Sequence, residues 1–187
     1  MDSESNTVEL SKFDNSFYRP GSKFKIFLWY IFNRLFINTY LPFPVFIKTF
    51  VLRVFGAKIG KNFFIKPRVN IKYPWYLTVG DNVWIGENVW IDNLDTVLTG
   101  DNVCISQGAM ILCGNHDYKK PKFDLILGSI VLEDGVWICA NSIVCPGVIC
   151  KSHSILSVGS IATNNLDPFY IYKGNPAKRI KKRVFIK

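Results

Sequence analysis

Between Asn15 and Gly80 the chain has no acidic residue at all, although eleven lysines and arginines fall there. It also lacks any uninterrupted apolar run of the roughly 20 residues that a membrane-spanning helix requires. The most apolar stretch is broken by Asn33, Arg34, Asn38, Pro42 and Pro44. A basic secretory leader is not expected, because the opening Met1-Asp2-Ser3-Glu4-Ser5-Asn6 is polar and acidic. The five cysteines are odd in number and never spaced Cys-x-x-Cys, which argues against a disulfide framework or a zinc knuckle and makes a reducing cytoplasm the expected location. Thirteen glycines and nine prolines in 187 residues are too few for a collagenous or low-complexity chain. With 49% hydrophobic and 20% charged residues, disorder is excluded and one domain with a small appendage is expected.

The net charge of +9 is segregated. After the basic front, residues 81–172 carry ten acids against four lysines, and Lys173–Lys187 carry seven bases and no acid. Such blocks favour anionic partners. Nucleic acid is not expected as a partner, since there is no zinc-finger spacing, RNP-like motif or helix-turn-helix signal.

Residues 1–55 form an aromatic, basic, helical segment. Phe24 to Ile37 reads as a helix by length and lack of breakers, and Pro44 suits the first turn of a second helix that Gly56 ends. Two readings stand. The helices cap the domain that follows with their aromatic face, or they lie in a membrane interface with Trp29, Tyr30 and Phe32 immersed and Lys23, Lys25 and Arg34 at headgroup level.

The middle of the chain repeats every six residues. Val79-Gly80-Asp81-Asn82 is followed by Ile85-Gly86-Glu87-Asn88 and Ile91-Asp92-Asn93-Leu94. After a two-residue slip the beat resumes at Thr99-Gly100-Asp101-Asn102 and Ile105-Ser106-Gln107-Gly108, and after an interruption it returns at Leu132, Ile138, Val144, Cys150 and Leu156. An earlier phase shows at Ile59-Gly60-Lys61-Asn62. An aliphatic residue followed by Gly and Asp or Asn describes a short strand and a tight corner, and three such units make one triangular coil with the aliphatic side chain inside.

This repeat resembles the hexapeptide acyltransferase superfamily, whose fold is a left-handed parallel β-helix, so an all-β left-handed parallel β-helix over residues 56–173 is expected. The interrupting loop at 114–128, with Gly114-Asn115-His116-Asp117-Tyr118, and the closing Gly174-Asn175-Pro176-Ala177-Lys178-Arg179-Ile180 are similar to the galactoside and maltose O-acetyltransferases. Phe55-Gly56-Ala57-Lys58-Ile59-Gly60, Tyr73-Pro74-Trp75 and Ile105-Ser106-Gln107 further resemble the colanic-acid type of exopolysaccharide O-acetyltransferase. The resemblance implies acetyl-CoA as acyl donor, a sugar or lipid-linked saccharide as acceptor, and a homotrimer with its sites between subunits. It also makes His116 the general base that takes the hydroxyl proton, a task suited to imidazole. Ala140, Val158, Thr163, Asn164, Lys178 and Lys181 match the family's CoA contacts, the lysines on a basic C-terminal helix, residues 174–187, that Pro176 opens. Cys139 and Cys150-Lys151 depart from the usual Gly. Asp92, Asn93 and Asp95 match the acceptor side, with Asn93 also placed to support an oxyanion.

His153, in Lys151-Ser152-His153-Ser154, reads as a solvated turn residue. The two histidines and the in-repeat cysteines, which read as packing, leave no metal site in view and argue against a zinc carbonic anhydrase on the same fold. The rival readings are a non-catalytic trimeric scaffold or membrane-associated binding module, and an N-acetyltransferase acting on an amino-sugar nucleotide. If the acceptor is lipid-linked, the basic front would hold the enzyme peripherally on the inner face of the membrane.

Overall fold

The computed structural model describes residues 7–186; the acidic opening and Lys187 lie outside them. From Lys58 the chain winds as a parallel β-solenoid of about six turns with three flat sides. One side stacks Lys58–Ile59, Leu77–Val79, Val97–Thr99, Ile130–Leu132 and Ile149–Cys150. The second stacks Phe64–Ile65, Trp84–Ile85, Cys104–Ile105, Trp137–Ile138, Ile155–Leu156 and Tyr170–Gly174. The third stacks Asn70–Ile71, Trp90–Asp92, Met110–Leu112, Ile143–Val144 and Ile161–Ala162. The repeat position points inward at every level, so Ile65, Ile85, Ile105, Ile138 and Leu156 form one buried column, and Ile71, Ile91, Ile111, Val144 and Ala162 another. Each Ile, Leu or Val side chain so buried contributes about 1.5–3 kcal/mol.

The Gly-Asp-Asn corner has a steric and a hydrogen-bonding cause. The Asp of each coil accepts a backbone N–H from the coil before it: Lys61 N–H donates to Asp81 Oδ1 at 2.6 Å, Asp81 N–H to Asp101 at 2.7 Å and Asp101 N–H to Asp134 at 2.8 Å. That carboxylate lies where a Cβ on the preceding glycine would go. At Gly80 a Cβ would stand 2.5 Å from both Asp101 Oδ1 and the Gly100 carbonyl. The following Asn62, Asn82 and Asn102 take positive φ, which short polar side chains tolerate best.

The register explains the two-residue slip. Ile59 lies opposite Val79 and Val79 opposite Thr99, 20 residues per turn, whereas Leu132 lies opposite Cys150, 18 residues on. Both early turns carry their extra residues where the third side meets the first. There Pro74–Tyr76 forms a 3₁₀ turn, and in the next coil Asn93 fills the corresponding corner.

The open end of the first coil is closed by two helices, α1 (Lys23–Phe32) and α2 (Val45–Val54), joined through a π-helical turn, Asn33–Ile37. Pro44 stands at the N-cap of α2 and Gly56 follows it at φ +102. Gly60 and Lys72 direct their N–H groups to the second coil, so the carbonyls of Ile59 and Ile71 point out of the open end. Side chains supply the missing donors. Trp29 Nε1–H donates to Ile71 at 2.9 Å, Arg53 to Ile59 at 2.7 Å and Lys48 Nζ to Lys66 at 3.3 Å. Trp29, which the immersed-helix reading sent into lipid, is therefore buried in the protein, with Phe55 5.1 Å from its ring. Lys48 is 2% exposed, and burial lowers its pKa from the ordinary lysine value.

Before α1 the described residues are not helical beyond one 3₁₀ turn, Leu10–Lys12; residues 7–22 run as an arm along the solenoid. Trp75, from the Tyr-Pro-Trp corner, holds that arm by donating to the Pro20 carbonyl at 2.6 Å.

The expected C-terminal helix is instead a strand, Ala177–Lys182, antiparallel to Tyr170–Gly174. Gly174 at φ +105 reverses the chain, and the last parallel strand offers a free edge whose N–H and C=O groups need partners. That demand overrides the helical preference of the lysines and arginines.

Two outcomes test this account. Gly80→Ala forces a Cβ into backbone and carboxylate and is expected to lose about 2–4 kcal/mol of stability. Gly147→Ala, at φ +78 but with open space around its Cβ position, is expected to lose about 1 kcal/mol; denaturant melts showing the reverse order would refute the corner argument. For Lys48 the folded-state pKa lies below the unfolded one, so the unfolded chain binds the proton more tightly and stability rises with pH up to the unfolded value. Lys48→Met is therefore expected to gain Tm relative to wild type at neutral pH, with the gain shrinking towards about pH 10. A gain independent of pH would show that the charge is not the cause.

Candidate functional site

The loop at 114–128 leaves the solenoid as a hairpin at the corner between the third and first sides. Its strands, Gly114–His116 and Leu125–Leu127, pair antiparallel with His116 opposite Leu125. At the foot of the hairpin Gly114 leaves room for the Leu94 side chain, whose terminal methyl lies where a Cβ would go. Phe123 turns the hairpin at φ +56, and its ring stacks on the His116 imidazole at 4.5 Å and 11°. Its carbonyl oxygen lies 2.9 Å from His116 Nδ1. A carbonyl only accepts, so Nδ1 carries the proton and Nε2 is left with its lone pair, the tautomer a base needs.

Neither the stacking ring nor the arm was visible as part of the site in the sequence. Phe13, on the arm, meets the His116 ring edge-on at 5.4 Å, and Glu9 N–H donates to Pro121 in the hairpin at 2.8 Å. Tyr18 donates to the Leu94 carbonyl at 2.5 Å, and burial, then the nearby Tyr73, Tyr76 and aspartates, push its hydroxyl well above the ordinary range. The only hint was the aromatic density of the front.

The three residues matched to the acceptor side part company. Asn93 is fully buried and occupied: its Oδ1 accepts from Lys72 N–H at 3.1 Å and Tyr73 N–H at 2.9 Å, and its Nδ2 donates to the Tyr73 carbonyl. It stands in for backbone pairing across the widened corner and has no face for a sugar or an oxyanion, which corrects the role assigned from sequence. Asp95 takes the N–H of Thr96 at 2.6 Å. Asp92 pairs with Lys72 at 3.1 Å and, with Asn33, Arg34, Tyr30, Tyr73 and Trp90, lines an open groove of about 290 Å³ beside α1. In it the Asn33 side chain donates to Asn70 at 2.9 Å while its buried Oδ1 has no partner among the described residues. The Asp92 carbonyl accepts from Cys113 N–H at 3.2 Å, so the groove ends one coil below the His116 hairpin.

The residues matched to CoA lie along the last coils but not in one pocket. Ala140 and Val158 occupy the same corner in successive coils, where Gly159 N–H donates to the Ala140 carbonyl at 3.0 Å. Thr163 and Asn164 lie at the next corner, on the far side of Ile161–Ala162. The turn leading to Lys178 is tied to the first of these corners by Gly174 N–H donating to Ser160 Oγ at 3.0 Å. Lys181 pairs with Ile171 and, with Trp137, Ile155 and Arg183, lines a second open groove.

His153 is a turn residue, at φ +61, and is half-buried rather than fully solvated. Its ring stacks on Phe169 at 4.8 Å and meets Phe185 at 5.9 Å. Burial pushes the Cys113 and Cys150 thiols up to about 12 and that of Cys139 to about 11, so these three are packed and unreactive; Cys104 and Cys145 are half-buried. Among the described residues no three His, Cys, Asp or Glu side chains come together to hold a metal. Nor is any helix among them long and apolar enough to cross a membrane.

No family model matches the chain. It is 34% identical over 168 residues to the Escherichia coli protein named "Putative colanic acid biosynthesis acetyltransferase WcaF", covering 89% of this chain and 92% of that one. The fold is shared with a hexapeptide-repeat acetyltransferase of Vibrio cholerae solved with acetyl-CoA, at a TM-score of 0.76 and 20% identity over 86% of each chain. It is shared too with a maltose O-acetyltransferase of Clostridium difficile, at a TM-score of 0.78 and 22% identity over 84% of this chain and 86% of that one. With a repeating corner, a histidine-bearing hairpin and a near full-length relative all agreeing, the chain belongs to the hexapeptide-repeat acetyltransferases.

Proposed function

We propose that this acetyltransferase moves the acetyl group of acetyl-CoA to a sugar hydroxyl in the assembly of a cell-surface polysaccharide, working in the cytoplasm as a homotrimer. The observation that carries the chemistry is the His116–Phe123 contact, which leaves Nε2 bare and the ring clamped between Phe123 and Phe13. Nε2 takes the hydroxyl proton as the sugar oxygen bonds to the thioester carbonyl carbon. The tetrahedral oxyanion then collapses, the C–S bond breaks, and the proton passes from Nε2 to the departing thiolate. No acetyl-enzyme is needed, and the buried thiols offer no rival nucleophile at neutral pH.

The trimer is supported by what one chain leaves open. The CoA-matched residues lie on two corners and a hairpin, and Trp84, Trp137 and Trp90 stand exposed on the outer faces of two sides. Neighbouring chains packed on those faces would cover the tryptophans and bring Ala140, Val158, Thr163 and Asn164 against another chain's hairpin. Lys178 and Lys181 supply charge for the CoA phosphates. The acceptor reading rests on the groove at Asp92, where the Tyr30, Tyr73 and Trp90 rings and the Asp92 carboxylate suit a saccharide, with Asp95 three residues further along the chain. The kinship with a colanic acid acetyltransferase points the same way.

Transfer of labelled acetyl from acetyl-CoA to a panel of hydroxyl and amino sugars tests the reaction, with His116→Ala expected to lower kcat about 10²–10⁴-fold while Tm is unchanged. Near-wild-type turnover in that variant would remove His116 as the base, and transfer to amines alone would replace the O-acetyl reading. Saturating acetyl-CoA, at about 100 times its Kd, is expected to add about 2.7 kcal/mol to stability. Lys178→Ala with Lys181→Ala should weaken that titration; no shift at millimolar acetyl-CoA would sink the donor assignment.

A further inference from the structure

The helices that close the first coil have a second side. Along α1 and the π turn, Phe24, Phe27, Ile31 and Leu35 recur three or four residues apart and are exposed. Along α2, Phe46, Phe50 and Val54 recur every four residues and are exposed as well. Phe24 and Phe46 are each 71% exposed and Phe50 68%, while the opposite sides of the same helices bury Trp29, Lys48, Val51 and Leu52. Donors on both inner sides reach carbonyls of the same coil edge, so both outer stripes turn away from the solenoid. Seven large apolar side chains grouped in this way exceed the scattered exposure usual on a protein surface.

The charges around them carry one sign. Lys23, Arg34 and Arg53 are exposed on these helices, and Lys58, Lys61, Lys66 and Arg68 are exposed on the coil behind them. No acidic residue occurs from Asn15 to Gly80, and the Asp81 carboxylate of the next coil is engaged by the Lys61 backbone N–H. An aromatic and aliphatic face ringed by cations complements an anionic lipid surface: rings enter the boundary between headgroup and acyl chain, and ammonium and guanidinium groups meet phosphates. A second copy of this face matches it poorly, because joining the two would set like charges rim to rim.

We propose that the outer face of α1 and α2 docks on an anionic bilayer, with the solenoid directed away from the lipid. None of its seven apolar side chains lies on the His116 hairpin or lines the Asp92 groove, with which the face shares only Arg34 at its rim, so lipid binding is read separately from acetyl transfer.

Sedimentation of the full-length protein with phosphatidylglycerol–phosphatidylcholine vesicles tests it, with phosphatidylcholine alone as reference. Salt-sensitive binding at least about tenfold tighter to the anionic vesicles is expected. The combined variant Phe24→Ser, Phe27→Ser, Phe46→Ser and Phe50→Ser is expected to weaken binding at least about tenfold with circular dichroism and Tm near wild type, since all four side chains are exposed. Lys23→Glu with Lys61→Glu should selectively weaken binding to the anionic vesicles. The proposal is overturned if folded wild type binds neither vesicle, or if both variants bind like wild type. It is equally overturned if wild type self-associates without lipid and the four-serine variant does not, because the face would then join proteins.

Discussion

A coil of this solenoid satisfies its backbone only against another coil, so the first and last coils are each left with a raw β edge, and much of the architecture answers that constraint. At the start, an indole, a guanidinium and a buried ammonium reach the carbonyls of Ile71, Ile59 and Lys66. At the end, the chain turns at Gly174 and lays Ala177–Lys182 against its own last strand. The aromatic front and the basic tail, which look like interaction segments when read as composition, thus have structural duties first. Their outward sides are what remains for partners.

The candidate site arises where the coil rule is broken. Insertions at the corner between the third and first sides give that corner the 3₁₀ turn at Pro74, the buried Asn93 and the His116 hairpin, one in each of three successive coils. A flat side would hold a histidine among stacked neighbours, whereas a hairpin lets Phe123 supply both a carbonyl and a ring to one imidazole. The arm at residues 7–22 then fastens over the same corner through Tyr18 and Phe13, so the position of the His116 imidazole depends on parts far apart in the chain.

The repeat was legible because one inward position in six must be aliphatic and the corner carboxylate forbids a Cβ before it, leaving Gly-Asp-Asn written along the chain. The hairpin was legible as a break in that beat, and His116 as its only histidine. What failed to show were features set by distant partners. Asn93 has the residue type of a sugar ligand, and only the extra residues of two stacked corners reveal that it serves Tyr73. Lys178 to Lys182 have the propensity of a helix, and only the unpaired edge beside them makes a strand. Tyr18 and Leu94, 76 residues apart, carry no mark of their contact.

The change from 20 to 18 residues per turn separates two modules with different freedom. In the later turns each coil touches only its neighbours and repeats the same three short strands, with Leu132 above Cys150 and Ile138 above Leu156. Duplicating one such turn would lengthen the molecule while leaving both closures and the hairpin intact. The early turns have no such freedom, because their corners interlock with the arm. In evolutionary terms the solenoid can grow near its C-terminal end, moving the corners of Ala140, Val158, Thr163 and Asn164 away from His116, while the half that holds the hairpin stays at fixed length.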